Sequence, residues 1–154
     1  MILLDSSGLL AAIDSSQRDH RAAARALAAA EPPLLLSPFV LAELDYFLAT
    51  RIGSHAEAAL LEEVAAGAYQ IEPFGRDDVA AALAVINKCT DLGLGLADAS
   101  IVVLADRHDV SDVLTLDERH FRTVRRRAGR SFRLLPTPAG TRGARRGVRR
   151  SPSR

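Results

Sequence analysis

Very short apolar runs, at residues 2–4, 34–36 and 113–116, recur between longer alanine-rich stretches along a chain of 154 residues. Runs such as ILL and LLL are too brief for a helix and show no alternating polar face, so they read as buried strands. Residues 69–72 and 132–135 add a third strand and an edge strand in chain order. Strands this short, each followed by a helical stretch, build an α/β domain with a mainly parallel sheet.

The helical stretches carry their own punctuation. A helix over 6–13 follows the first strand, and the Ala-rich residues 16–30 form a second that Pro32 and Pro33 stop. Ser37 and Pro38 suit an N-cap and first turn, and Val40, Leu44, Phe47 and Leu48 give helical spacing up to about Gly53. Ser54 and Glu57 match a capping box opening a helix that stops near Gly67. Further helices are expected over 76–91, over 98–107 after the LGLGL break at 92–96, and over 118–124. This divides the chain into a folded domain, 1–136, and an Arg-rich tail, 137–154, expected to be disordered alone because it has almost nothing to bury.

No apolar stretch approaches the roughly 20 residues that span a bilayer, so a soluble, cytoplasmic protein with no membrane role is expected. Cys89 is the only cysteine, which rules out an internal disulfide, and His20, His55, His108 and His120 show no zinc spacing with it. The net charge of +1 conceals an asymmetry: residues 1–121 hold 8 Lys and Arg against 19 Asp and Glu, whereas residues 122–154 hold 12 Arg and no acid. A basic end of this kind meets polyanions such as nucleic acid or an acidic protein surface, or is simply solvated.

Four carboxylates stand where they should be costly. Asp5 closes MILL, Glu43 lies inside FVLAELDYFL, Asp98 opens ADASIVVLA and Asp117 closes VLTL. An ionised acid against apolar surface needs a partner or a shifted pKa, and one shared divalent cation serves several acids at once. Asp5 and Asp117 follow strands, so they emerge at the carboxyl edge of a parallel sheet, where ligands bind. Glu43 borders its helix's apolar stripe, and Asp98 sits in a first turn that favours negative charge. Each acid alone also has a plainer reading, as a helix cap or an ion-pair partner; together they suit Mg²⁺ or Mn²⁺ and phosphoryl chemistry. Ser7 either orients a water or phosphate oxygen from the helix start or serves as a cap.

The motifs LLDSS at 3–7, SPFVLAELDYFL at 37–48, GLGLADASIVVLA at 93–105 and LTLDERHF at 114–121, taken in that order, resemble PIN-domain ribonucleases. In particular they resemble the VapC-type toxins of bacterial type II toxin–antitoxin modules. The resemblance covers about residues 1–135 and implies a PIN-like three-layer α/β/α sandwich, Mg²⁺- or Mn²⁺-dependent endoribonuclease activity on RNA, and inhibition by a cognate antitoxin protein. By motif, Asp5, Glu43 and Asp98 correspond to the core metal ligands and Asp117 to a fourth, more variable acid, with Ser7 beside the metal-bound water. Apolar helices at 38–50 and 54–66 suggest a face for a second copy, giving a homodimer, or for an antitoxin helix. The Arg-rich tail has no counterpart in the compact family pattern.

Two other readings compete. In one, the acids are structural and the Arg-rich end makes the chain a non-catalytic nucleic-acid- or partner-binding module. In the other, Asp5 is the nucleophile of a phosphatase-like hydrolase, although the second Asp expected two residues later is Ser7.

Overall fold

The computed structural model describes residues 1–137; the expected disordered tail falls almost wholly outside them. Among these residues five strands, β1 (Ile2–Leu4), β2 (Leu34–Leu36), β3 (Gln70–Ile71), β4 (Asp112–Leu114) and β5 (Arg133–Leu135), form one sheet in the order β3-β2-β1-β4-β5. Every pairing is parallel. Ile2, Leu3 and Leu4 are all buried although neighbouring strand residues face opposite sides, so both faces of the sheet are covered and the fold is a three-layer α/β/α sandwich.

Among the described residues seven α-helices provide those layers: α1 (Ser6–Ile13), α2 (His20–Ala28), α3 (Pro38–Phe47), α4 (Ser54–Ala65), α5 (Arg76–Lys88), α6 (Leu96–His108) and α7 (Glu118–Thr123). Helix α6 is the most deeply set, with Ala99, Ile101, Leu104 and Ala105 fully buried. Ser37 caps α3, accepting the Phe39 N–H through its hydroxyl at 3.2 Å, and the same hydroxyl lies 2.6 Å from that of Ser100 on α6. That buried pair ties the α3 start to the centre of the molecule.

Several local expectations shift. The second helix starts at His20 instead of 16, because the Asp14 carboxylate accepts from the Ser16 N–H, the Ser16 hydroxyl and the Gln17 amide and so holds 14–17 as a turn. The box at Ser54 and Glu57 does not form: Gly53 is the N-cap and Ser54 is already helical. Helix α6 begins two residues before Asp98, capped by Gly95, so Asp98 lies at its third position. Strand β4 covers 112–114, leaving Thr115 and Leu116 as a short turn before Asp117.

The register decides what lines the carboxyl edge. Ile71, Leu36, Leu4, Leu114 and Leu135 stand in one row across the sheet. The next residues in each strand direction are Glu72, Ser37, Asp5, Thr115 and Pro136, which puts Asp5 and Thr115 side by side at the centre of the edge. Gly8 brings α1 down onto this edge: a Cβ there would lie 2.3 Å from the Leu114 carbonyl oxygen, so no larger residue fits without moving helix or strand.

Candidate active site

Asp5 is the innermost acid, only 4% exposed. Its Oδ2 accepts from the Ser7 hydroxyl at 2.5 Å and from the Thr115 hydroxyl at 2.7 Å. Both hydroxyls are themselves anchored on the turn after β4. Ser7 accepts the Leu116 N–H at 2.9 Å, and Thr115 accepts the Asp117 N–H at 2.9 Å. Two hydroxyl bridges thus lock Asp5 to the segment carrying Asp117. Because both fall on one oxygen, the other retains lone pairs for a further ligand.

Asp98 projects from the first turn of α6, where its Oδ2 accepts the Gly95 N–H at 3.1 Å. Asp117 caps α7, its Oδ1 accepting the His120 N–H at 3.1 Å. Glu43 lies exposed on α3, held by the Ser6 hydroxyl at 2.7 Å. The four acids form a gradient, from Asp5 through Asp98 and Asp117, with side chains 20% and 37% exposed, to Glu43 at the outer rim.

The electrostatics show that these groups sense one another. Burial pushes the Asp5 carboxyl above the usual carboxylate range against the pull of Ser7 and Thr115, and the charge of Asp98 pushes it the same way. Burial also raises Asp98, while the Gly95 N–H and His120 oppose it and Asp117 and Glu43 add repulsion. Among the described residues none of the four pairs with a Lys or Arg; their one basic neighbour is His120, whose Nδ1 lies 3.0 Å from Asp117 Oδ2 and 3.5 Å from Asp98 Oδ2. Its Nε2 donates to the Leu92 carbonyl at 3.1 Å, which fixes the ring. Nδ1 is buried but not aligned for a hydrogen bond with either carboxylate.

The donor set suits a hard divalent cation: oxygen-only, clustered, mutually repelling and without an arginine to neutralise it. The side chains are turned instead toward hydroxyls and His120, and among the described residues no three Asp, Glu, His or Cys side chains come together closely enough to hold an ion. The fit therefore lies in chemistry and backbone placement, and the Ser6 bond of Glu43 and the exposed arm of Asp117 are the contacts that an ion would exchange. An Asp5 nucleophile is poorly served by this geometry, since the carboxylate is buried and committed to two hydroxyls.

Thr115, Ser6 and His120 complete the site although nothing in their local sequence marked them. Thr115 and Asp5 are 110 positions apart, Ser6 and Glu43 37, so only the fold reveals those contacts. Ser7 is engaged with Asp5 and the turn after β4; it makes no cap for α1.

The acidic edge, assembled from four separate segments, lies at the carboxyl ends of the strands, where ligands bind in open α/β sheets. The sequence matches the PIN domain family over residues 2–127, and the chain belongs to that family. It is 41% identical over 135 residues to Ribonuclease VapC26 of Mycobacterium tuberculosis, covering 88% of this chain and all of that protein. In structure it resembles VapC20 of Mycobacterium tuberculosis, described as a sarcin-ricin loop cleaving toxin, with a TM-score of 0.73 at 20% identity over 78% of this chain and 92% of the other. It also resembles a chain of the DNA-bound VapBC of Salmonella typhimurium, with a TM-score of 0.63 at 16% identity over 86% and 96% of the two chains.

Proposed function

We propose that this protein is the ribonuclease toxin of a type II toxin–antitoxin pair, and that it hydrolyses RNA phosphodiesters with Mg²⁺ or Mn²⁺ held by Asp5, Glu43, Asp98 and Asp117. The observation that carries this reading is the acidic edge itself. Two of its four carboxylates are driven above their ordinary pKa range, and no Lys or Arg pairs with any of them among the described residues. The identity to a protein named as a ribonuclease supports it.

A bound divalent ion supplies positive charge that makes a water more acidic and offsets charge gathering on the phosphate oxygens. The protein's own contribution is placement. Ser7 and Thr115 hold Asp5 in one orientation and couple it to the turn bearing Asp117, while the Gly95 N–H orients Asp98. Glu43, on an exposed rim, closes the cluster from α3. Arg119 stands two residues from Asp117, exposed and with no ion pair among the described residues, where it draws RNA phosphates toward an edge that would otherwise repel them.

The exposed apolar side chains Tyr46, Phe47, Ile52 and Leu61 provide the face for a cognate antitoxin or for the second subunit of a homodimer. No helix among the described residues is long and apolar enough to cross a membrane, and action on cytoplasmic RNA is part of this proposal. The purified protein should cleave single-stranded RNA with Mg²⁺ or Mn²⁺ and stop on chelation. Undiminished cleavage by the Asp5→Asn, Asp98→Asn double variant would refute the assignment; metal-independent RNA binding without any cleavage would make the chain a binding module.

A further inference from the structure

A cavity of about 590 Å³ opens beside the acidic edge, between the end of α5, the middle of α6 and the segment after α7, and is within the size range of a site for a small organic group. Its walls are aliphatic, from Val85, Leu92, Val102 and Val124. Lys88, Arg125 and Arg127 stand around it, all exposed, against the acids Asp91 and Asp106. Asp106 is partly occupied, accepting the Arg127 backbone N–H at 2.7 Å. Arg126 also lines the cavity, but it is only 4% exposed and its guanidinium is tied to the Ala105 carbonyl at 3.1 Å and to Asp109 at 2.7 Å, so the exposed cations make the rim.

The cavity is joined to the acids by a single side chain. Leu92 forms part of its wall, and the Leu92 carbonyl holds the ring of His120, which stands between Asp98 and Asp117. Along α6, Val102 and Asp106 follow Asp98 by four and eight residues, about 6 and 12 Å at 1.5 Å per residue. A strand lying on the acids reaches that depth within roughly two to four stacked nucleotides.

We propose that this cavity is a nucleotide subsite: it receives one unstacked base of the RNA a few positions from the scissile bond, with Lys88 and Arg127 on the flanking phosphates. An aliphatic slot holds a base by its faces, and a cationic rim holds the backbone. The result is selection for an RNA segment whose base can leave the stack, which a phosphate-only contact would not impose. This rests on the ribonuclease reading, since the cavity is defined by its distance from the cleaving acids.

Cys89, the only cysteine, lines the cavity and gives a local readout. The full chain is alkylated with a neutral maleimide in EDTA, alone, with a single-stranded RNA oligonucleotide, and with an abasic ribose-phosphate oligomer of the same length. RNA should slow alkylation about 10-fold and the abasic oligomer should leave the rate nearly unchanged, since burying the faces of a base against aliphatic side chains is worth roughly that factor. The Lys88→Ala, Arg127→Ala variant should lose the protection, and its log affinity should depend less steeply on log salt by about 1.4, at roughly 0.7 per single-strand phosphate contact. Both side chains are exposed, and the Arg127 contact with Asp106 is through the backbone, so the variant keeps its fold. If RNA binds and is cut on adding Mg²⁺ while Cys89 reacts at its free rate, the subsite is overturned and the nuclease stands. Equal protection by the abasic oligomer overturns the base-binding claim. Absence of both binding and cleavage removes the subsite together with the ribonuclease reading.

Discussion

Helix α6 carries one aspartate in its first turn and another at its C-cap, and the two are treated in opposite ways. At its start, Asp98 faces Asp5, Asp117 and Glu43, meets only a glycine N–H and a histidine, and is raised in pKa chiefly by burial. At its end, Asp109 accepts from Arg126 at 2.7 Å and lies 2.6 Å from Arg130, and these partners hold its carboxyl below the ordinary range. Asp112, a few residues on, is likewise lowered by its pairing with Arg133. The chain has arginine to spare and uses it to neutralise acids at one end of the helix while withholding it from the other. Acids with an arginine act as fasteners for the C-terminal segment. Acids without one keep their lone pairs and their mutual repulsion, which a divalent cation relieves.

The largest effect that would break this contrast is on cleavage. Asp98→Asn should cut kcat/KM by about 10³-fold, because it removes several kcal/mol of charge-dependent transition-state stabilisation. Asp109→Asn should leave kcat/KM within about 2-fold of the parent, in line with an additive, distant site, yet lower the melting temperature, since Arg126 stays buried with less to pair with. Equal activity losses in the two variants would erase the distinction.

A smaller effect tests the hydroxyl scaffold. Thr115→Val keeps the shape but removes the donor to Asp5 and the acceptor for the Asp117 N–H. Cleavage should fall about 10- to 100-fold, as for the loss of a group that orients a ligand, and unfolding should become easier by about 1–3 kcal/mol from the unpaired buried groups. Thr115→Ser should restore most of both.

The subtlest effect concerns pH and the metal-free protein. A carboxyl raised above its unfolded value binds its proton more tightly when folded. Its contribution to stability is therefore present at low pH and is lost as pH rises from the unfolded value of 3.8 through the folded one. At any pH above the unfolded value, burying the Asp5 carboxyl therefore costs stability, so Asp5→Asn should raise the melting temperature in EDTA at neutral pH while abolishing cleavage. On the acid side, cleavage should fail at a higher pH than an unperturbed carboxylate would allow, seen as a displaced acidic limb of the pH–rate profile. A lower melting temperature for Asp5→Asn in EDTA would mean that the carboxylate stabilises the fold.

The parallel sheet and its carboxyl edge were legible because three-residue apolar runs leave little choice of structure, and an acid that follows such a run must surface at one edge. Asp5 and Asp117 could be placed on that ground alone. The start of α6 was misjudged by two residues because its cap is Gly95, which carries no side-chain signature, and the box expected at Ser54 and Glu57 lost to Gly53 with its φ of 130°. The tight seat of Gly8 against β4 and the Thr115 and Ser6 contacts involve partners far apart in sequence, where no local pattern reaches. The gradient of burial from Asp5 to Glu43 was invisible for the same reason: the motifs set only Asp117 apart from the other three, and only packing separates the inner acid from the rim.

Calorimetric titration of Mn²⁺ into the protein, with Asp98→Asn and Asp109→Asn alongside, tests most directly whether the unpartnered acids hold a divalent cation. The parent and Asp109→Asn should bind the ion alike, with at least a roughly 10-fold loss in Asp98→Asn. Equal affinity in all three proteins, or none in the parent, would contradict the assignment of the acidic edge as a metal centre.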